Sequence, residues 1–134
     1  MAHLTEIVFD AVNAPRLAAF WAGALDGYAV RPYDDAELRR LAALGYTPDT
    51  DPNVAVDGPG PTLFFQQTSK ARRDGKQSDA LHLDVGAEDI VAERDRLEAL
   101  GASLLDALDD HLVLADPEGN RFCLFRRADR ATES

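Results

Sequence analysis

Two stretches of this chain run through the same order of signals, and that repetition constrains the fold more than any other feature. Thr5-Glu6-Ile7-Val8-Phe9-Asp10-Ala11-Val12 reads as a strand. Asn13 then caps a helix from about Ala14 to Leu25, with Pro15 in the first turn, where a missing N–H costs nothing. Leu17, Phe20, Trp21, Ala24 and Leu25 supply its apolar stripe. In the second stretch Ala80 to Val85 is a strand, followed by a helix from about Glu88 to Leu100. Its core side is Ile90, Val91, Leu97 and Leu100, and Gly101 sits where a left-handed cap belongs. Glu6 stands seven residues before Asn13 and His82 seven before Asp89, so both halves share one strand-to-helix spacing.

Short strands follow each helix. In the first half they are about Tyr28–Tyr33, a weak one at Asn53–Asp57, and Pro61–Thr68; in the second, about Ala102–Ala107, His111–Ala115 and Arg121–Arg127. Each half is therefore βαβββ. The expected organisation is one domain of two modules, 4–68 and 79–127, with a polar, mobile linker at 69–78 and a disordered charged tail at 128–134. One segment breaks the symmetry. Asp34 to Gly45 places acidic residues first, basic residues later and a glycine last, which predicts an extra helix. Pro48, Pro52, Pro59 and Pro61 then make a stiff return to the sheet. That excursion reads either as a lid or pocket wall, or as a surface decoration.

Size and charge exclude several classes. A chain of 134 residues buries a proper core without disulfides. The single cysteine, Cys123, fits a reducing cytoplasm, the expected location. No secretory signal is visible, and no apolar run of about 18 residues suggests a membrane span. With 24 acidic against 14 basic residues the net charge is −10, which argues against nucleic acid, because phosphate binding needs a basic face. Lys70, Arg72, Arg73 and Lys76 make a local basic run, read as a solvated loop. Gly-rich phosphate loops, G-x-S-x-G elbows and H-E-x-x-H motifs are absent.

Alternation along the strands locates a site. One face of each sheet must carry its helix, and side chains alternate between faces. Ile7, Phe9 and Ala11 belong to the helix side, leaving Glu6, Val8 and Asp10 on the other. Leu81, Leu83 and Val85 belong to it in the fifth strand, leaving His82 and Asp84. In the last strand Phe122 and Leu124 form one set, and Arg121, Cys123 and Phe125 the other; in the fourth, Leu63 and Phe65 alternate with Phe64 and Gln66. A repeated βαβββ unit whose mixed sheet curls around its free face makes a cup with helices outside. Glu6, Phe64, Gln66, His82, Cys123 and Phe125 are the residues expected to line it. Its aromatic component suits a small organic molecule with apolar surface.

The approach to the last strand carries a more specific signal. Ala115-Asp116-Pro117-Glu118-Gly119-Asn120-Arg121-Phe122-Cys123-Leu124-Phe125 is a tight turn between apolar runs, hence a β-hairpin. This wording at the end of a chain of this size resembles the vicinal-oxygen-chelate superfamily, which includes glyoxalase I, extradiol dioxygenases and bleomycin-resistance proteins. The resemblance spans about Thr5 to Arg127 and implies an α+β, glyoxalase-like fold of two βαβββ modules. The reaction stays open, because the scaffold hosts several chemistries and plain ligand binding.

Metal-dependent members hold a divalent ion with ligands from the first and last strands of each half. Carried over by position, the first-strand ligand falls on Glu6, the fifth-strand ligand on His82 and the last-strand ligand on Cys123. The fourth-strand ligand falls on Phe64 or Gln66. A thiolate suits zinc better than magnesium or manganese. Each residue also has a plainer reading. His82 then lines a pocket, Glu6 is a solvated carboxylate, and Cys123 is a small buried hydrophobe. His111 is either a solvated turn histidine or a proton-transfer group reaching the cup; with Glu6 it is the candidate for catalysis. Asp116, Glu118 and Asn120 are turn formers without chemistry. Two functions follow: a metal-free or atypically metallated pocket protein binding an organic ligand, and a metal-dependent lyase or isomerase acting on a 2-oxo or hemithioacetal substrate. The resemblance also implies a homodimer, in which the partner's Asp34–Gly45 segment is a candidate to close the pocket.

Overall fold

The computed structural model describes residues 1, 3–68 and 82–127. The chain divides into two compact units, Met1–Asp74 and Gly75–Ser134. The linker expected at 69–78, the tail at 128–134, and Ala80 and Leu81 of the expected fifth strand lie outside the described residues.

The first unit contains β1 (Glu6–Ala11), α1 (Ala14–Ala24), β2 (Ala29–Val30), α2 (Asp35–Ala43), a 3-10 turn (Pro48–Thr50), β3 (Asn53–Asp57) and β4 (Thr62–Gln67). The strands are ordered β1-β4-β3-β2, with β1 parallel to β4 and the other pairs antiparallel. The second contains β5 (Leu83–Ala87), α3 (Ile90–Leu100), β6 (Ser103–Ala107), β7 (His111–Ala115) and β8 (Arg121–Arg126), ordered β5-β8-β7-β6. Here β5 is parallel to β8 and the rest are antiparallel. The two βαβββ sheets thus share one connectivity.

Local chemistry explains the helix ends. Asn13 takes a β conformation and its side chain accepts from the Arg16 N–H, while Pro15 sits in the first turn of α1. The Ala14 N–H donates to Gln67 Oε1, tying the helix start to the end of β4. Asp34 caps α2 through the Glu37 N–H, and Asp89 caps α3 by accepting from Val91 and Ala92. Gly101 ends α3 at φ 119°, a left-handed conformation that costs a residue without a Cβ little.

Each sheet packs one face against its helix. Leu17, Ala18, Phe20 and Trp21 of α1 are buried with Val54, Val56, Leu63 and Phe65 of the sheet. Phe9 stacks on Phe65 at 4.9 Å and meets Trp21 at 5.9 Å. Phe122, Leu124, Leu112 and Leu114 form the corresponding buried rows in the second unit. Trp21 is therefore a core residue, as the pattern predicted.

Four expectations need correction. The second strand is only two residues long: Tyr28 and Tyr33 leave it, because their hydroxyls donate to the Pro61 carbonyl and to Asp51 Oδ2. The fifth strand runs on through Gly86 and Ala87, and the helix begins at Ile90, capped by Asp89, rather than at about Glu88. Of the apolar residues assigned to the core side of α3, Leu97 is buried, but Val91 and Leu100 are exposed. Ala24 and Leu25 in the first unit are only half-buried, because the core contact ends with the turn that holds Phe20 and Trp21. The extra helix is present and anchored by buried Leu41, whose carbonyl accepts from the Tyr46 N–H. No helix among the described residues is long and apolar enough to cross a membrane.

Candidate functional site

Strand register places each expected site residue. In the first unit Glu6 opens β1, exposed, opposite Thr62; Val8 stands opposite Phe64, and Asp10 opposite Gln66. Phe64 in turn faces Ala55, and Gln66 faces Asn53. Phe64 is half-buried and Gln66 exposed, whereas their neighbours Leu63 and Phe65 are buried, so the alternation between faces holds. In the second unit Asp84 stands opposite Cys123 and Gly86 opposite Phe125, with Val113 and His111 completing the rows on β7.

These registers decide a position that the sequence leaves ambiguous. Counting back from the caps Asn13 and Asp89, Glu6 corresponds to His82 and Val8 to Asp84. Val8 pairs with Phe64, and Asp84 pairs with Cys123. Phe64 is therefore the counterpart of Cys123, and Gln66 the counterpart of Phe125. A phenyl ring cannot donate to a cation, so the ligand set implied by the resemblance lacks its fourth-strand member. The residues do not fit that four-ligand arrangement.

A different donor group is present. The ligand atoms of His82, Asp84 and Cys123 all lie within 4.8 Å of one another, with His82 Nε2 and Asp84 Oδ1 at 3.3 Å. His82 and Asp84 share a face because they are two apart on one extended segment, and parallel pairing brings Cys123 beside Asp84. Asp84 was not among the residues singled out for metal from the sequence, although its alternation with His82 was the available signal. Burial, and then the Asp84 charge, push the Cys123 thiol upward, so without a cation it is no ready nucleophile.

Beside this group His111 stacks on Phe125, with ring centroids at 4.6 Å and planes at 19°. Its Nδ1 lies 2.7 Å from Asp110 Oδ1, which holds the Asp110 carboxyl below its ordinary range, and its side chain is 18% exposed. Of its two readings, the solvated turn histidine is set aside; the residue belongs to the face that carries Cys123.

The first unit carries an ion pair at the turn between β3 and β4. Arg31 Nε and an Nη donate to the two oxygens of Asp57 at 2.7 and 2.9 Å, and Thr62 Oγ1 donates to the same carboxylate at 2.7 Å. These bonds lower Asp57 to about 2. Burial and the bond to Asp51 push Tyr33 upward, which keeps its hydroxyl a donor. Neither cluster is visible as a motif, since each joins residues distant in sequence.

Asp116, Glu118 and Asn120 serve the turn. Asp116 is 3% exposed; its Oδ1 accepts from the Glu118 and Asn120 N–H groups, and its Oδ2 from Asn120 Nδ2.

Comparison with known proteins agrees with this geometry. A glyoxalase/bleomycin resistance protein/dioxygenase family enzyme from Burkholderia phytofirmans PsJN is 14% identical, with a TM-score of 0.66 over 93% of this chain and 98% of that one. The trypanothione-dependent glyoxalase I of Leishmania major is 16% identical, with a TM-score of 0.64 over 99% and 92%. A glyoxalase-related enzyme from Fulvimarina pelagi is 14% identical, with a TM-score of 0.61 over 94% and 88%. At these identities the likeness establishes the fold. No curated protein matches the sequence. The glyoxalase-like domain model matches residues 6–125, and the chain belongs to that family, within the vicinal-oxygen-chelate superfamily.

Proposed function

We propose that this protein binds a small organic molecule with apolar surface on the free face of its second sheet. The observation that carries this reading is the His111–Phe125 stack, half-buried beside Cys123 on the face of the sheet opposite buried Phe122 and Leu124. Stacked rings offer a flat apolar surface, and the imidazole adds a polar edge that orients a ligand. The negative net charge favours cationic ligands at long range. We take the protein to be cytoplasmic and to work as a homodimer, as relatives on this scaffold commonly do.

Thermal denaturation against a panel of aromatic and cationic compounds, run with chelator present, tests this. A ligand at about 100 times its Kd stabilises the native state by about 2.7 kcal/mol, and Phe125→Ala removes the shift. A flat response across a broad panel defeats the reading.

A second reading is a glyoxalase-type lyase or isomerase acting on a 2-oxo or hemithioacetal substrate. It is favoured by Glu6 and His82 standing at corresponding positions, each seven residues before its helix cap. In that case Glu6 or His111 moves the proton. Turnover abolished by Glu6→Gln or His111→Ala supports it, and turnover indifferent to both variants rejects it.

A further inference from the structure

We infer that the outer edge of β6 takes up an extended, basic segment of another protein as a fifth strand of the second sheet. β6 ends the order β5-β8-β7-β6, so one side of its backbone has no strand beside it in its own sheet. Every residue from Ser103 to Ala107 is exposed, which is true of no other strand among the described residues. An edge of this kind offers a row of N–H and C=O groups to an approaching chain, and alternate side chains then decide which chain fits. The Ala107 N–H is met at 2.9 Å by the carboxylate of its neighbour Asp106 rather than by a strand. The first unit blunts its corresponding edge. There β2 is only two residues long and is followed by Arg31, tied to Asp57, and by Pro32, which has no N–H to offer.

The side chains along this edge select the partner. Leu100, Leu104, Leu105 and Leu108 are each 38–50% exposed. The register shift between Leu104 and Asp106 leaves Leu105 as the extra residue of a bulge, opposite no residue of β7. Apolar groups gathered at one exposed place mark contact surfaces, whereas single ones do not. Charge then narrows the choice. Asp106 lies on the strand, and Asp109 and Asp110 form the hairpin tip that the Leu108 N–H closes by donating to the His111 carbonyl at 2.9 Å. No Lys or Arg occurs between Arg96 and Arg121. A second copy laid on this edge adds acidic groups to acidic groups. An incoming strand that carries lysine or arginine together with aliphatic side chains meets both the carboxylates and the leucines.

The test is titration of a fluorescein-labelled peptide of alternating lysine and valine with the full chain, read by fluorescence anisotropy. We expect saturable binding. Leu105→Lys, which removes apolar contact and sets a cation against the peptide, weakens it about tenfold. Asp109→Asn, at the exposed tip, weakens it about threefold. The same peptide N-methylated on alternate residues keeps its charge but cannot pair along one edge, and it should not bind. Circular dichroism of each variant separates loss of contact from unfolding. Absence of saturable binding to the wild-type protein overturns the inference. So does equal binding of the N-methylated peptide or of an alternating glutamate and valine peptide, and so does undiminished affinity in both folded variants. Self-association of the peptide-free protein that Leu105→Lys abolishes, measured by analytical ultracentrifugation, also overturns it, by assigning the edge to a second copy.

Discussion

The two units share a connectivity and a buried face, yet differ on the free face and at the turn before the last strand. Leu63 and Phe65 in β4 correspond to Phe122 and Leu124 in β8, and all four are buried. On the opposite side, Glu6, Val8, Phe64 and Gln66 correspond to His82, Asp84, Cys123 and Phe125. Packing explains the contrast. A side chain between sheet and helix has close neighbours on every side, and interiors at crystal-like density tolerate little change in volume or polarity. A side chain on the free face has fewer packing neighbours. The change in polarity between the halves is therefore concentrated on that face.

The turns reach the same end by different means. In the first unit the Tyr28 ring lies over Gly58, where a Cβ would come within 2.5 Å of it, and its hydroxyl donates to the Pro61 carbonyl. Arg31, Asp57 and Thr62 tie the flanking strands together. In the second unit one buried carboxylate, Asp116, gathers the turn's N–H groups around itself. The first turn is held from outside by distant residues, and the second from within.

The strongest challenge to this comparison is in the core. Phe65→Ala should cost about 3–5 kcal/mol and Leu124→Ala about 2–5 kcal/mol in urea denaturation. A loss under about 1 kcal/mol at either site would mean that the buried faces are not equivalent. The turns provide a smaller effect. Asp116→Ala should cost about 1–3 kcal/mol, because buried N–H groups lose their acceptor. A neutral result would remove the account of the second turn. The smallest effect distinguishes the first unit by pH. Asp57 is depressed to about 2 from an ordinary 3.8, so its contribution is present above pH 4 and is lost as pH falls from there towards 2. Because Arg31 and Asp57 are 57% and 41% exposed, solvent screening limits the gain to under about 1 kcal/mol. Asp57→Asn should flatten that part of the acid limb, measured as denaturation midpoint against pH, whereas an unchanged slope would show that the pair contributes nothing.

The amino-acid sequence by itself determined the two βαβββ halves, the cap at Asn13, and which strand residues share a face. Those features rest on short-range causes: side-chain alternation in strands, capping geometry and turn composition. The extra helix at Asp35–Ala43 was legible for the same reason. Only the tertiary structure decided that Phe64 rather than Gln66 corresponds to Cys123, that Asp84 joins His82 and Cys123, and that His111 lies on Phe125. Parallel register is set by the whole crossover and its packing, and no local pattern encodes it. Val91 and Leu100 were assigned to the core because helical periodicity reports an apolar stripe, whereas the width of contact between helix and sheet decides how much of that stripe is covered.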